Sequence, residues 1–284
     1  MREYAKYTSV SKRGTIIRID YRTLDENRRY IRKYANVYLP YGYEKDKERK
    51  YNILYVIHGG GGNADAWLDS CLTKNMLDYS FEEDKVNPFI VVFPGFYKED
   101  KKRTGPVDPP AERAHVLLFQ DELVSDLIPA VESQVRSYAD GYITPDTLIA
   151  TREHRAITGF SMGGVTTWFA FLKHMDHFAT FLPLSGDCWE VEPRGGFSKP
   201  EETAKAVYDA VQQFGYTSKD FRILAATGDK DIAFDALDAQ IQAMRQYSDV
   251  FTEENLQYLL APDMYHTYEA VCTYLYNLIP DIFV

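Results

Sequence analysis

Gly159-Phe160-Ser161-Met162-Gly163-Gly164 follows the strand-like run Arg155-Ala156-Ile157-Thr158 and precedes helical periodicity over residues 162–174. The hexapeptide is a G-x-S-x-G sequence in the strand–turn–helix context that exposes a nucleophilic serine on a sharp, strained turn. A side chain at Gly159 or Gly163 would crowd such a turn. The serine oxygen is expected at a helix N-terminus, where backbone N–H groups favour a developing negative charge. The sequence therefore predicts that Ser161 is a nucleophile.

Apolar runs alternate with helical patterns along the chain. Strand-like runs typical of a buried parallel sheet occur at about 14–21, 34–39, 53–57, 89–93, 156–157, 178–184, 223–226 and 256–260. Helical periodicity is clearest at 118–137, 162–174, 201–213, 234–247 and 267–279. The alternation predicts an α/β fold with a doubly wound, mostly parallel sheet and helices on both faces.

The domain organisation follows from the same alternation. We expect a short N-terminal lead at 1–13 and one domain over 14–284, because no repeat or low-complexity linker interrupts the pattern. Two loop insertions are expected, at 95–116 and at 186–200. Each follows a predicted strand and so emerges at the carboxyl edge of the sheet, where open α/β sheets bind ligands.

The composition argues against several partners. The formal net charge is −10, and an acidic body repels phosphate groups, so no nucleic acid is expected to bind. No apolar run approaches the roughly 20 residues that span a bilayer, so no membrane association is expected. Without a signal peptide the sequence as it stands predicts a cytoplasmic protein, or a secreted one if a signal or neighbouring modules have been removed. The sequence predicts no particular oligomeric state.

The general base follows from the chain order of this type of sheet, in which the serine precedes the acid and the acid precedes the histidine. Three of the six histidines precede the serine and are excluded: His58, His115 and His154. His174 and His177 lie at the end of the helix that follows the serine, where C-terminal capping is expected. His266 comes just after the last predicted strand and remains as the base.

The same histidines bear on metal binding. His174 and His177 have the i, i+3 spacing of a ligand pair, but no third ligand is evident in the sequence. The three cysteines include no C-x-x-C pair, which argues against a zinc knuckle. The sequence therefore predicts no metal and no cofactor.

Two carboxylates compete for the role of the acid, because the strand around 222–226 is followed by both Asp229 and Asp231. Asp229 is placed where aspartate often serves as a turn residue. Asp231 lies at the start of the next predicted helix and could cap it. Spacing alone does not separate the two residues.

Two backbone amides are predicted to stabilise a negatively charged oxygen. One is the N–H of Met162, directly after the nucleophile, and the other belongs to the loop after the first central strand. That loop, His58-Gly59-Gly60-Gly61-Gly62, resembles an HGGG-type element. Gly60 is the preferred second donor and Gly59 the alternative. A phosphate-binding loop is not supported, because no Gly-Lys-Ser/Thr follows.

Over roughly residues 14–282 the chain resembles the family 1 carbohydrate esterases, most closely the feruloyl esterase modules attached to bacterial xylanases. This branch of the α/β-hydrolases is related to esterase D (S-formylglutathione hydrolase) and to the mycolyltransferases. Besides the serine hexapeptide, the resemblance rests on Val37-Tyr38-Leu39-Pro40-x-Gly42-Tyr43, Leu54-Tyr55-Val56-Ile57-His58-Gly59, Asp126-Leu127-Ile128-Pro129 and Arg152-Glu153-His154-Arg155-Ala156-Ile157. It implies an α/β-hydrolase fold.

The resemblance also assigns roles by position. Ser161 matches the family's nucleophile, His266 its base and Gly60 its second oxyanion amide. Asp231 matches the aspartate that ends the family's Gly-x-x-Asp turn, which decides against Asp229. The chain departs from the family at Met264-Tyr265-His266-Thr267, where glycines and a following Asp are usual. This departure is expected to alter the pocket wall.

The family resemblance implies a serine carboxylesterase that releases ferulate from plant xylan through an acyl-enzyme intermediate. Its substrate would be a small-molecule or oligosaccharide ester from the plant cell wall. One alternative is an acetylxylan esterase on the same scaffold, and another is a non-catalytic carbohydrate-binding descendant of the fold. Five aromatic residues near the sheet's carboxyl edge could stack a phenolic ring: Trp67, Phe96, Tyr97, Trp189 and Tyr265. Trp189 is favoured because it lies in a Gly- and Pro-rich loop.

Overall fold

The computed structural model describes residues 9–82, 86–98 and 108–284. Within these ranges the strands are β1 (Thr15–Leu24), β2 (Tyr30–Leu39), β3 (Ile53–Ile57), β4 (Ile90–Pro94), β5 (Arg155–Phe160), β6 (Thr180–Leu184), β7 (Arg222–Gly228) and β8 (Leu256–Ala261). They form one sheet in the order β1-β2-β4-β3-β5-β6-β7-β8. β2 pairs antiparallel with β1 and with β4, whereas the pairs from β4 to β8 are parallel. The predicted α/β class and mostly parallel sheet are confirmed.

The helices of the described ranges are α1 (Ala66–Cys71), α2 (Thr73–Glu82), α3 (Pro109–Glu122), α4 (Ile128–Glu132), α5 (Pro145–Ala150), α6 (Met162–His174), α7 (Gly195–Ser198), α8 (Pro200–Phe214), α9 (Phe234–Met244) and α10 (Tyr268–Leu278). A π-helical turn at Leu123–Leu127 joins α3 to α4, and 3-10 turns lie at Arg152–His154 and Ile279–Asp281. In this part of the chain, no helix combines the length and the apolar character that a membrane span needs.

The helices cover both faces of the sheet, and alternate residues of each central strand face opposite cores. Tyr55 of β3 belongs to the core beneath α3, α6 and α8, together with Trp168 of α6. Its neighbours Leu54 and Val56 belong to the core on the other face, beneath α1, α2 and α10. This two-residue period explains why the sequence of β3 is apolar throughout.

The structure corrects the predicted insertion at 95–116. Helix α3 begins at Pro109, whereas the sequence pattern places the helix start at 118. Pro109-Pro110 suggests a loop, but proline is well tolerated at the first helical positions because an N–H there has no partner within the helix. Residues 99–107 of this insertion, and residues 1–8 of the predicted lead, lie outside the described residues. The predicted loop at 186–200 contains the short helix α7.

Candidate active site

Ser161 occupies the sharp turn between β5 and α6. Its backbone has φ 56° and ψ −114°, an unusual conformation for a residue with a side chain. A Cβ atom at Gly159 would lie 2.4 Å from the carbonyl carbon of Gly163, and one at Gly163 would lie 2.4 Å from the carbonyl oxygen of Ile57. The Ser161 N–H donates to the carbonyl oxygen of Leu184 at 3.0 Å. Two glycines and one strained serine therefore create the turn that the sequence predicts.

Gly159→Ala is expected to destabilise the protein by about 3 kcal/mol or more, because the new methyl group overlaps backbone atoms that cannot rotate away. Gly42→Ala is the matched control, since Gly42 has φ +83° but no atom within 4 Å of the position that a Cβ would take; it should cost only about 1–2 kcal/mol of left-handed strain. Thermal and urea unfolding followed by circular dichroism give both values. Equal losses in the two variants would contradict the crowding argument.

Ser161, His266 and Asp231 form a chain of hydrogen-bonding atoms. His266 Nε2 lies 2.9 Å from Ser161 Oγ, and His266 Nδ1 lies 2.6 Å from Asp231 Oδ1. The side chain of Asp231 is fully buried, and its Oδ1 also accepts a hydrogen bond from the Ala233 N–H at 2.8 Å. In this arrangement the imidazole can accept a proton from the serine while the carboxylate orients it and stabilises its charge.

Asp229 has a different place in the structure. Its Oδ1 accepts a hydrogen bond from the Asp263 N–H at 2.7 Å. Close by, the Lys230 N–H donates to the Met264 carbonyl oxygen at 3.1 Å. These bonds tie the loop after β7 to the loop that carries His266. Asp229 therefore acts on the position of the histidine loop, and Asp231 is the carboxylate in contact with the imidazole.

The departure from the family pattern after His266 has a local explanation. Thr267 is the N-cap of α10, and its side-chain oxygen accepts a hydrogen bond from the Ala270 N–H at 3.2 Å. Threonine is a common N-cap residue, so it does here what an aspartate can do. The ring of Phe160 packs against the imidazole of His266, with ring centroids 4.6 Å apart. The base thus keeps a firm position without the usual glycines.

In the glycine loop after β3, one backbone amide is available to donate a hydrogen bond to a substrate oxygen. The Gly59 N–H donates to the Tyr268 hydroxyl at 3.0 Å, and the Gly61 N–H donates to the Tyr97 hydroxyl at 2.8 Å. The Gly60 N–H has no hydrogen-bond partner among the described residues. Met162 is the first residue of α6, so its N–H has no partner within the helix. The geometry favours Gly60 over Gly59 as the second donor to a substrate oxygen.

Three rings hold this loop, the buried rings of His58 and Tyr97 and the half-buried ring of Tyr268, and sequence reasoning missed their role. Burial lowers the pKa of His58 to about 4, so its ring is neutral. A neutral ring can donate from Nδ1 to the Gly59 carbonyl oxygen at 2.7 Å and accept at Nε2 from the Phe96 N–H at 3.3 Å. Burial also raises the pKa of Tyr268 to about 12, which keeps its hydroxyl protonated. Nothing in the local sequence marks Tyr97 or Tyr268 for this role.

A cleft of about 90 Å³ opens beside the serine. Ser161 and His266 line it together with Asp187, Trp189, Arg194 and Ile232. Trp189 is thus placed as the sequence predicts, whereas the sequence pattern does not single out Asp187, Arg194 or Ile232. A larger cavity, of about 390 Å³, lies beside Thr180 and Arg222 at the amino ends of their strands, and none of the three residues of the serine site borders it.

Buried hydrogen bonds fix the position of Trp189. Asp187 Oδ1 accepts from the indole Nε1 at 3.0 Å, and Asp187 Oδ2 accepts from the Gly196 N–H at 2.9 Å. Burial raises the pKa of this carboxyl group. On the backbone side, Arg113 Nε donates to the Trp189 carbonyl oxygen at 2.7 Å. The indole is therefore a fixed wall of the cleft.

Two other predicted substrate-binding residues, Trp67 and Phe96, belong to the core, whereas Tyr265 is exposed outside the cleft lining and its role stays a prediction. Trp67 is 1% exposed and donates from its indole to the Ile57 carbonyl oxygen at 3.0 Å. Phe96 is 3% exposed and stacks on His58 with ring centroids 4.3 Å apart. Tyr265 is 61% exposed. Large apolar side chains that follow a strand often complete the core, and sequence position does not separate them from pocket walls.

Comparison with known proteins identifies related chains. Residues 32–277 match the model of a family described as "Putative esterase". Endo-1,4-beta-xylanase Y of Acetivibrio thermocellus is 34% identical over 257 residues, which are 88% of this chain and 22% of that protein. An endo-1,4-beta-xylanase/feruloyl esterase of Xylanibacter ruminicola is 32% identical over 161 residues, or 56% of this chain and 20% of that protein. The chain thus spans about a fifth of these curated relatives.

Two solved structures that are similar to this chain are also esterases. A serine-to-alanine mutant of the feruloyl esterase module from Clostridium thermocellum, complexed with sinapinate, superimposes with a TM-score of 0.83 at 31% sequence identity. The match covers 99% of this chain and 92% of that one. A ferulic acid esterase from Anaeromyces mucronatus, at 18% identity and a TM-score of 0.69, shares the fold.

Proposed function

The chain belongs to the esterase family whose model it matches, and from this premise we propose that it is a serine carboxylesterase acting on feruloyl esters of plant xylan. The observation that carries the proposal is the chain of contacts from Ser161 through His266 to Asp231, which opens on a cleft walled by Trp189. The name of one relative pairs xylanase with feruloyl esterase, and one similar solved structure is a feruloyl esterase module, which supports the same substrate class.

The reaction follows from the geometry. Ser161 Oγ attacks the ester carbonyl carbon while His266 Nε2 takes its proton, and the N–H groups of Met162 and Gly60 stabilise the resulting oxyanion. Collapse of this intermediate breaks the bond to the sugar oxygen, which leaves with the proton from His266. A water molecule, deprotonated by His266, then attacks the acyl-enzyme. The ferulate leaves and Ser161 regains its proton.

The apolar part of the cleft lining suits an aromatic acyl group. The indole of Trp189 is held rigidly, and Ile232 and Val165 add apolar surface to the same cleft. A phenolic ring packed against an indole buries apolar area on both partners. The positions of Ser161, His266 and Asp231 disfavour a non-catalytic binding module, which has no need of this arrangement.

One observation favours the second candidate, an acetylxylan esterase. The enclosed volume of the cleft is about 90 Å³, and an acetyl group needs less space than a feruloyl group. Comparing initial rates on methyl ferulate and on acetylated xylan separates the two candidates. Turnover of acetylated xylan without turnover of methyl ferulate would overturn the feruloyl proposal.

Trp189→Ala is expected to lower kcat/KM for methyl ferulate by roughly 10- to 100-fold, because stacking and burial against the indole contribute about 1.5–3 kcal/mol. The rate on a short-chain acetyl ester should change by less than about threefold. Phe197→Ala is the matched control: Phe197 belongs to the same 186–200 segment, is 60% exposed and lies outside the cleft lining. An equal loss on both esters would contradict a role for Trp189 in acyl-group selection.

A further inference from the structure

We propose that His174, Asp176 and His177, at the C-terminal end of α6, form a binding site for a divalent transition-metal ion. One ligand atom from each of the three side chains lies within 4.8 Å of the other two. Two imidazole nitrogens and one carboxylate oxygen are a donor set that suits Zn²⁺, Co²⁺ or Ni²⁺. Rotation of the three side chains would bring these atoms to bonding distance of one ion.

The way in which helix α6 ends places the third ligand, Asp176, beside the two histidines. His174 and His177 have the spacing of neighbours on one helix face, but a residue two positions after His174 would face away from them in a continuous helix. Helix α6 ends at His174, and the N–H groups of His177 and Phe178 both donate to its carbonyl oxygen, at 3.0 and 3.2 Å. This tight turn brings Asp176 to the side of the two imidazoles, which the sequence pattern does not show.

The turn is held in place before any ion binds. Arg152 Nε donates to the Met175 carbonyl oxygen at 2.7 Å, and Arg152 Nη2 donates to the Phe178 carbonyl oxygen at 3.0 Å. Ligands on a fixed backbone lose little entropy when they bind an ion. The guanidinium charge of Arg152 opposes a cation, whereas the carboxylate of Asp176 and the negative end of the α6 dipole favour one.

An unsatisfied nitrogen points independently to a ligand. His174 Nε2 is buried and has no hydrogen-bond partner of ordinary geometry within the described part of the chain, although the ring also interacts with the backbone of Gln120. Buried polar atoms without partners are uncommon because each costs free energy. His177 Nδ1 lies 2.8 Å from Asp176 Oδ1, so these two ligand atoms are already adjacent, and an ion would take the place of the proton between them. The side chain of Asp176 is 32% exposed, so water can complete the coordination.

The proposed site is remote from the ester chemistry. Helix α6 has Ser161 at its N-terminus and His174 as its last residue, and its 13 residues span about 20 Å. An ion bound there would stabilise the end of the helix and the turn into β6. Its predicted effect is therefore on stability and not on turnover.

The test uses the purified full chain after treatment with EDTA and removal of the chelator. Titration calorimetry with ZnCl₂ should show one site with a Kd in the micromolar range, and ZnCl₂ should raise the Tm. His177→Ala and Asp176→Asn should each weaken Zn²⁺ binding at least tenfold and abolish the Tm shift. These variants are preferred to His174→Ala, because truncating His174, whose Nε2 is buried, would leave a cavity.

Two control variants locate the ion. His154→Ala removes a histidine outside the cluster, and His266→Ala removes the proposed base; both should retain the Zn²⁺ affinity of the parent chain. Zn²⁺ binding that persists in His177→Ala and Asp176→Asn, or that disappears in His266→Ala, would overturn the proposal. Since the readout is binding and Tm, the result does not depend on whether the chain is a feruloyl esterase.

Discussion

Ser161→Ala is expected to lower kcat/KM for methyl ferulate by roughly 10⁵- to 10⁶-fold, because Ser161 Oγ is the hydroxyl that lies 2.9 Å from the proposed base, His266 Nε2. The fold should survive the change. Alanine at this position meets the same backbone strain as serine, at φ 56° and ψ −114°. The oxyanion amides of Met162 and Gly60 remain, so a small residual rate above that of water is expected.

Initial rates and covalent labelling measure this effect together. A fluorophosphonate probe should label the parent chain stoichiometrically and leave Ser161→Ala unlabelled. Ser133→Ala is the control, since Ser133 is exposed and its hydroxyl donates to the Ala130 carbonyl oxygen away from the cleft. Activity or labelling of Ser161→Ala above about 1% of the parent value would contradict the assignment of the nucleophile.

Asp231→Asn is expected to reduce kcat by about 10⁴-fold with little change in structure. An asparagine amide would donate a hydrogen bond to His266 Nδ1, which now lies 2.6 Å from a carboxylate oxygen. The ring would then carry its proton on Nε2 and could not accept one from Ser161. The loss should appear in kcat more than in KM, because the cleft wall is untouched.

Asp229→Asn is the matched control for this change. The asparagine oxygen can still accept the hydrogen bond from the Asp263 N–H that Asp229 accepts at 2.7 Å. We therefore expect its kcat to stay within about threefold of the parent value. The reverse ranking of the two variants would assign the acid to Asp229.

Much of the secondary structure follows from local pattern. The helical periodicity at 162–174 gives the bounds of α6 as the structure has them, and the apolar run at 53–57 gives those of β3. The pattern places the start of α3 at 118 and not at Pro109, because prolines typical of a loop also begin helices. Helices α1 and α2 are not predicted; α1 is six residues long, too short for a clear period.

The candidate site also includes residues that the sequence predicts and roles that only the structure separates. The strand–turn–helix pattern and the chain order lead to Ser161 and His266 from residue types alone, and family resemblance adds Asp231. Asp229 and Asp231 differ by two positions, and the sequence allows a structural role for both. Their different roles become visible only through the hydrogen bonds that each makes to the histidine loop.

The α/β class and the turn that carries Ser161 follow from the amino-acid sequence, because both depend on backbone conformation and burial within a few residues. The chain order of the reacting side chains then follows from the predicted type of sheet. Tertiary packing places Trp189 at the border of the cleft and Trp67 in the core, and it brings Asp176 close to two histidines. These outcomes depend on packing between distant segments and on where a helix stops. A local sequence pattern does not predict such contacts, because the same pattern is compatible with a side chain in the core and with one at the border of the cleft.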